Sequence, residues 1–437
     1  MNWPTYADYR RSGVGYLGSV PVHWTVSRFS RHIRINGGQV DPRIEPFRSM
    51  PLIAPNHIEP ETGKLTALES AEDQGADSGK YLVTQGQLIY SKIRPNLAKA
   101  ITAPTDCLCS ADMYGLSPNP TVLESDFALR VLLSRPFTDY AIDSSMRVAM
   151  PKVNHESLGA APIWFPPLEE QRKIVDFIDR ETDKIDALIA KQMQLITTLR
   201  EDRAATITQA VTKGLDPNIE MKDSRAPWVG DVPAHWSVAK IKHGFSVTLG
   251  KMYQGEVQGA DDLQLPHLKA GSLTAAGLNL DDPMLCWFAP AEVSSLTLRK
   301  GDILVVEGGA IGRCVVLDRD LPNWGFQKSL NRVRALYGDS PRFLAYLIEA
   351  ATLSGHVSIL CGKATISHFT AEKVEALEWP HPSVDEQAAI VAFLDARCAQ
   401  VDDLIWKSTE MIDTLREYRS ALITDAVTGR INVQGVG

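Results

Sequence analysis

Glu170-Gln171-Arg172-Lys173-Ile174-Val175-Asp176-Phe177-Ile178-Asp179 returns 216 residues later as Glu386-Gln387-Ala388-Ala389-Ile390-Val391-Ala392-Phe393-Leu394-Asp395. The register then holds without a gap: Leu188-Ile189 pairs with Leu404-Ile405, Thr198-Leu199-Arg200-Glu201 with Thr414-Leu415-Arg416-Glu417, and Ala210-Val211-Thr212 with Ala426-Val427-Thr428. Upstream, Tyr16-Leu17-Gly18-Ser19-Val20-Pro21-Val22-His23-Trp24 recurs 212 residues later as Trp228-Val229-Gly230-Asp231-Val232-Pro233-Ala234-His235-Trp236. Two different landmarks repeated in the same order make the chain a tandem duplication. Each half is a globular region followed by one long segment. The divisions fall at residues 1–165, 166–215, 216–380 and 381–437, and the fold class is α+β.

The long segments read as helices. Val401, Leu404, Ser408, Met411, Leu415, Tyr418 and Leu422 alternate three- and four-residue steps, as do Ile185, Leu188, Gln192, Leu195 and Leu199; this is the seam of a coiled coil. Each segment follows a proline (Pro167, Pro382), opens with acidic residues and ends near a glycine (Gly214, Gly429), which matches helix start and stop chemistry. A helix of about 45 residues at 1.5 Å each is a rod of roughly 65 Å. One narrow seam on each predicts that the two pack together. Packing of each on its own globular region is the alternative.

The globular regions read as mixed, with short strands. Gly86-Gln87-Leu88-Ile89-Tyr90-Ser91-Lys92 and Gly301-Asp302-Ile303-Leu304-Val305-Val306 are each a turn and a strand, and they correspond across the repeat. Phe127 to Leu133 and Pro341 to Ala350 have helical periodicity. Between these landmarks the two regions diverge widely, as duplicated scaffolds with different surfaces would.

The chain's 437 residues exceed what one core usually organises. Its net charge of −8 neither excludes DNA nor argues for it. No apolar run approaches the roughly 20 residues that span a bilayer, and Met1-Asn2-Trp3-Pro4 does not start like a signal peptide. Six cysteines make no disulfide framework in a chain of this length, and Cys107 and Cys109 are too close for a zinc knuckle. The expectation is a cytoplasmic protein with reduced thiols and no bound metal.

The duplicated Gly-x-Val-Pro-x-His-Trp element (Gly18 to Trp24, Gly230 to Trp236) and the two proline-then-Glu-Gln helix entries resemble the specificity subunits of type I restriction–modification systems. Gly362-Lys363-Ala364-Thr365-Ile366-Ser367 also resembles that family's approach to its second helix. The first copy, Ala149-Met150-Pro151-Lys152-Val153-Asn154, lacks the glycine. The resemblance covers essentially the full length. It implies two target-recognition domains, each reading half of an asymmetric bipartite site in double-stranded DNA, on antiparallel helices that fix the unread spacer. It further implies two methyltransferase subunits that use S-adenosylmethionine, and restriction subunits that use ATP and Mg, with no cofactor bound by this chain.

Catalytic motifs are absent from the sequence. There is no phosphate loop of the Gly-x4-Gly-Lys-Ser/Thr kind, since Gly308-Gly309-Ala310-Ile311-Gly312-Arg313 lacks the lysine. Nor is there an Asn/Asp-Pro-Pro-Tyr/Phe methyltransferase motif. His23 and His235, duplicated beside tryptophans, read as structural, with the imidazole bonding backbone. A DNA-recognition subunit is therefore the leading reading. A specificity subunit for a fused methyltransferase–nuclease of the type IIB kind, and a scaffold without DNA activity, are the alternatives.

Base edges are read by Arg, Lys, Asn, Gln, Ser or Thr, and phosphates by Lys and Arg. In the first region these chemistries select Lys92, Arg94, Asn96, Lys99, Arg147, Lys152 and Asn154 as DNA candidates. In the second they select Lys251, Tyr253, His267, Lys269, Arg313, Lys328, Asn331, Lys363, Thr365 and His368.

Overall fold

A proline precedes each long helix, carboxylates fill its first turn, and a glycine with positive φ ends it. In the computed structural model, which describes residues 3–145, 151–274, 277–281, 283–362 and 368–435, the helices span Leu168–Lys213 and Val384–Val427. Gly214 and Gly429 follow at φ +74° and +73°, the left-handed conformation that releases a helix and that residues with a Cβ rarely adopt.

The chain divides into two units, Met1–Met193 with Thr409–Gly437, and Gln194–Ser408. Each is closed by parts of both long helices. In the first unit, Ile174, Ile178 and Ile185 from the start of the first helix share a core with Leu422, Ile423, Ala426 and Val427 from the end of the second. In the second unit, Ile207, Ala210 and Val211 from the end of the first helix share a core with Ile390, Leu394 and Cys398 from the start of the second. Start meets end in both cases, so the pairing is antiparallel. The same helix segments also pack on the globular part of their own unit, so both packing modes expected from the sequence occur together.

The buried seam differs from the sequence reading in its register. Along the second helix the protected positions are Ile390, Leu394, Cys398, Val401, Ile405, Ser408, Ile412, Leu415, Arg419 and Leu422. Val401, Ser408, Leu415 and Leu422 are on the seam as expected, whereas Leu404, Met411 and Tyr418 are exposed. The first helix repeats this: Ile189 and Ile196 are partly buried while Leu188 and Leu195 are exposed. Residues three and four ahead both lie on the same helix side, and the apolar residue at the +3 position misdirected the assignment. At +4 stands Arg419, which is buried: its guanidinium meets Asp186 at 3.1 Å and donates to the Glu61 carbonyl at 3.4 Å. Its repeat counterpart, Arg203, meets Glu349 at 2.5 Å and Asp402 at 3.2 Å.

Each unit has the same central antiparallel sheet of four strands. In the first unit the order is Ala100–Thr102, Leu88–Ser91, Met113–Pro118, Ile33–Ile35. In the second it is Cys314–Val316, Ile303–Val306, Leu330–Ala335, Phe245–Leu249. Helices Ser125–Leu133 and Pro341–Leu353 carry Phe127 and Phe343 into the respective cores. A second sheet in each unit contains one parallel pair, Cys107–Cys109 with Pro51–Ile53 and Gly325–Phe326 with Leu263–Leu268. Here the units diverge: the first adds Lys80–Val83 and Gln39–Val40 beyond the parallel pair.

The two repeated motifs meet. Trp24 Nε1 donates to Glu170 at 3.0 Å, Tyr6 donates its hydroxyl proton to the same oxygen at 2.6 Å, and His23 Nε2 lies 2.8 Å from the other carboxylate oxygen. In the second unit His235 lies 2.7 Å from Glu386, and Trp236 donates to it at 3.2 Å. The histidines are structural, but their partner is the carboxylate that opens the long helix rather than backbone. Gln171 and Gln387, fully buried, complete each entry. Gln171 accepts from the Glu124 N–H and donates to the Val122 and Pro166 carbonyls. Gln387 accepts from the Ser340 N–H and donates to Asp339 and the Pro382 carbonyl.

Candidate nucleic-acid interface

In the first unit the candidates gather where the fully buried strand Leu88–Ser91 leaves the sheet. The Lys92 N–H donates to the Asp112 carbonyl at 3.0 Å, and the Lys92 carbonyl accepts from the Val153 N–H at 2.8 Å. Ile93 then pairs with Lys152, and the Arg94 N–H donates to the Pro151 carbonyl. This backbone frame sets Lys92 and Arg94 beside Lys152. Lys92 lies largely buried with its ammonium 5.2 Å from the centre of the Tyr114 ring. Burial, then the nearby Lys152 charge, pull its pKa below the usual lysine value. Among the described residues neither lysine has an ion-pair partner. Asp112 offsets part of the repulsion between the two lysines, and the remaining positive charge favours an arriving anion.

The turn that follows is strained. Arg94 and Ala98 take left-handed φ of 49° and 40° on either side of Pro95–Leu97, at a cost of roughly 1–2 kcal/mol per non-glycine residue. The turn presents Arg94 and Asn96, both exposed. Lys99 is tied back to the Pro55 carbonyl at 2.7 Å, and its pKa is lowered by burial and then by Arg94. Asn154 plays a structural part, capping the helix His155–Ala160 by accepting from the Ser157 N–H at 2.7 Å. Arg147 lies outside the described residues.

The second unit builds the corresponding place with the same backbone bonds and different side chains. The residue after Ile303–Val306 is Glu307. Its N–H donates to the Ser329 carbonyl at 2.9 Å and its carbonyl accepts from the Phe369 N–H at 2.8 Å. Gly308 pairs with His368 as Ile93 does with Lys152. Glu307 therefore holds the position of Lys92, and His368 that of Lys152. The His368 Nδ1 is 3.7 Å from a Glu307 carboxylate oxygen. Burial raises the Glu307 pKa, against the lowering influence of His368 and Lys328.

The other candidates of this unit adjoin that place. Lys328 donates its N–H to the Lys251 carbonyl, and the Gln327 N–H donates to Leu268, next to Lys269. Lys269 and Lys328 are exposed. Tyr253 is half exposed and stacks on His267, with ring centroids 5.7 Å apart and planes 28° apart. His267 is buried: its Nδ1 bonds the Met284 carbonyl at 2.9 Å, and burial lowers its pKa. Lys251 is paired with Glu292 and packs over Phe288. Arg313 is exposed and bonds the Leu273 carbonyl at 3.1 Å. Asn331 is wholly buried and donates to the Phe369 carbonyl at 3.0 Å. Lys363 and Thr365 lie outside the described residues.

Residues 46–198 match the model of the type I restriction modification DNA specificity domain. The EcoDI specificity subunit of Escherichia coli is 37% identical over 164 residues, a segment that covers 38% of this chain and only 36% of that protein. The putative MjaX specificity subunit of Methanocaldococcus jannaschii is 21% identical over 430 residues, 96% of each chain. The chain thus carries, over residues 46–198, the DNA specificity domain of type I restriction–modification systems, and in sequence it is similar to their specificity subunits. Two solved structures share its fold. A chain from a study of complex assembly and conformational transition of the type I R-M system superposes with a TM-score of 0.72 at 19% identity, covering 93% of this chain and 98% of that one. The HsdS subunit from Thermoanaerobacter tengcongensis gives 0.52 at 18% identity, covering 94% and 98%.

Glu307 is not among the candidates that residue chemistry selects, because that selection takes no carboxylate. The register of the repeat carried the signal: Gly86 to Lys92 aligned on Gly301 puts an acid where the first unit has a lysine. Among the described residues no group of His, Cys, Asp and Glu is arranged to hold a metal ion, and no helix is long and apolar enough to cross a membrane.

Proposed function

We propose that this specificity subunit reads a bipartite, asymmetric sequence in double-stranded DNA, one half-site per unit, and itself performs no chemistry. The observation that supports this is one frame bearing two surfaces: identical backbone bonds hold Lys92 and Lys152 in one unit and Glu307 and His368 in the other. A duplication kept for stability alone has no need of opposite charge at equivalent exits of the same strand. A pair of readers of unlike sequences does.

The long helices are the docking surface for partners in this reading. Leu188 and Leu195 on the first helix, and Leu404, Met411 and Tyr418 on the second, are exposed at seven-residue spacing, a second apolar stripe beside the buried seam. Two methyltransferase subunits that bind S-adenosylmethionine, and restriction subunits that use ATP and Mg, are the partners. The chain binds none of these cofactors and acts in the cytoplasm.

The test is to purify the chain alone and with its modification subunits, then map methylated adenines on genomic DNA. The expected result is no methyl transfer, ATP hydrolysis or cleavage by the chain alone, and one bipartite methylated motif with the partners. Binding should weaken with salt, and Lys152→Ala should reduce the slope of log K against log[salt] by about 0.9 if that lysine meets one phosphate. Turnover by the chain alone, or methylation without a bipartite motif, would overturn the proposal.

A further inference from the structure

The Glu307 carboxylate is an unusual group for a surface that meets DNA. Its side chain is 15% exposed, and one of its oxygens is buried with no hydrogen-bond donor among the described residues. The other oxygen is 3.7 Å from His368 Nδ1, beyond hydrogen-bond length. Lys328 and Lys373 are near enough to influence it electrostatically, but the Lys373 ammonium is spent on the His368 and Cys361 carbonyls. A recessed carboxylate short of donors is destabilising, and among the described residues none fully satisfies it.

DNA offers few groups that a carboxylate can meet favourably. Phosphate oxygens repel it and base acceptors such as guanine O6 and N7 do so as well. Only exocyclic amino groups donate: cytosine N4 or adenine N6 in the major groove, guanine N2 in the minor groove. Local geometry allows a close approach, because Gly309 and Ala310, which follow Gly308, are exposed and carry little or no side chain. The equivalent Lys92 has the opposite polarity and suits acceptors.

We propose that Glu307 is a specificity-determining residue of the second unit, accepting a hydrogen bond from the exocyclic amino group of one base in its half-site, with His368 alongside to hold the carboxylate. This rests on the DNA-reading assignment made above. It adds that the two readers use one structural position with reversed hydrogen-bond polarity.

The experiment uses the full chain assembled with its modification subunits and a pool of duplexes randomised across both half-sites. Glu307→Gln preserves volume and removes the charge; Glu307→Ser removes the carboxylate altogether. With the native chain, one position of one half-site should demand a base whose amino group faces the reader. Glu307→Ser should relax discrimination at that position by roughly 5- to 150-fold, leaving the other half-site unchanged, whereas Glu307→Gln, whose amide oxygen still accepts, should relax it less. Affinity for non-cognate duplexes should hold or rise, since a negative charge has left the interface. Full stringency in Glu307→Ser, or a uniform loss of affinity for all sequences, would refute the role of Glu307 while a bipartite native motif left the DNA-reading assignment standing. Absence of any bipartite preference in the native complex would instead refute the assignment on which the proposal rests.

Discussion

Removing the carboxylate at the head of each long helix should cost the two units very different amounts. Glu170 is 5% exposed and receives Tyr6, Trp24 and His23. Burial of the Tyr6 phenol, then its hydrogen bond to Glu170, drive that phenol's pKa upward. Glu170→Ala therefore leaves a buried indole N–H and a part-buried phenol without their acceptor. Each buried donor left without an acceptor costs about 1–3 kcal/mol. Glu386 makes the parallel contacts to His235 and Trp236, but its side chain is 37% exposed, so water can take over from the carboxylate. Exposed pairs contribute about 0–1 kcal/mol, and Glu386→Ala should stay near that range. Hydrogen-exchange mass spectrometry reads local opening directly. In Glu170→Ala, protection across residues 19–28 and 168–178 should fall by roughly 100-fold or more, at 1.4 kcal/mol per tenfold. In Glu386→Ala, protection across 231–240 and 384–394 should fall by less than about tenfold. Equal losses in the two units, or intact protection at 168–178 in Glu170→Ala, would show that the carboxylate is not what holds the motif to the helix.

Three further outcomes are expected. A Cβ on Gly429 would lie 2.4 Å from Pro21 Cδ and 3.2 Å from Trp24, whereas on Gly214 the nearest atom, of Trp236, is at 3.3 Å; Gly214→Ala should cost about 1–2 kcal/mol for the left-handed backbone alone, and Gly429→Ala about 1–3 kcal/mol more for overpacking, as read by urea unfolding. Burial tends to raise the Glu386 carboxyl, but hydrogen bonds from His235, Trp236 and Ser383 outweigh it and hold the folded pKa below 4.5; its stabilising contribution is therefore full above that value and lost as pH falls through the folded pKa, so exchange at 384–394 should accelerate on acidification in the native chain and not in Glu386→Gln. Inserting a second Thr198-Leu199-Arg200-Glu201 adds about 6 Å of helix, and if helix length sets the unread spacer the methylated motif should gain one or two base pairs of about 3.4 Å each; an active complex with the original spacer would exclude that role.

How much was legible in the sequence depended on whether the repeat or the residue type carried the signal. The duplication fixed the helices and the strand exits, since Pro167, Gly214 and their copies act locally through backbone geometry. The seam was legible only to within one residue. Ile189 and Leu188 are both apolar neighbours, and burial of Arg419 and Arg203 on the seam depends on partners that only the folded chain supplies, Asp186 and Glu61 for one, Glu349 and Asp402 for the other. The histidine partner was hidden for the same reason: His23 and Glu170 are far apart in sequence, and nothing local marks the contact.

The DNA candidates divide along a similar line. Residue chemistry selects Lys92, Asn154, Lys251 and Asn331 alike, yet the fold gives them unlike roles. Asn154 caps a helix, Lys251 neutralises Glu292, and Asn331 bonds Phe369 in the interior. Those three side chains are committed within the chain, and a base or phosphate would have to displace a bond already made. Lys92 and Lys152 form no ion pair among the described residues; Lys92 lies over the Tyr114 ring, and Asp112 only partly offsets the repulsion from Lys152. Glu307 is uncommitted in the opposite sense, with one carboxylate oxygen lacking a donor among the described residues. Free hydrogen-bonding capacity at one repeated backbone position, rather than basic character, is therefore the feature that singles out this place on both units.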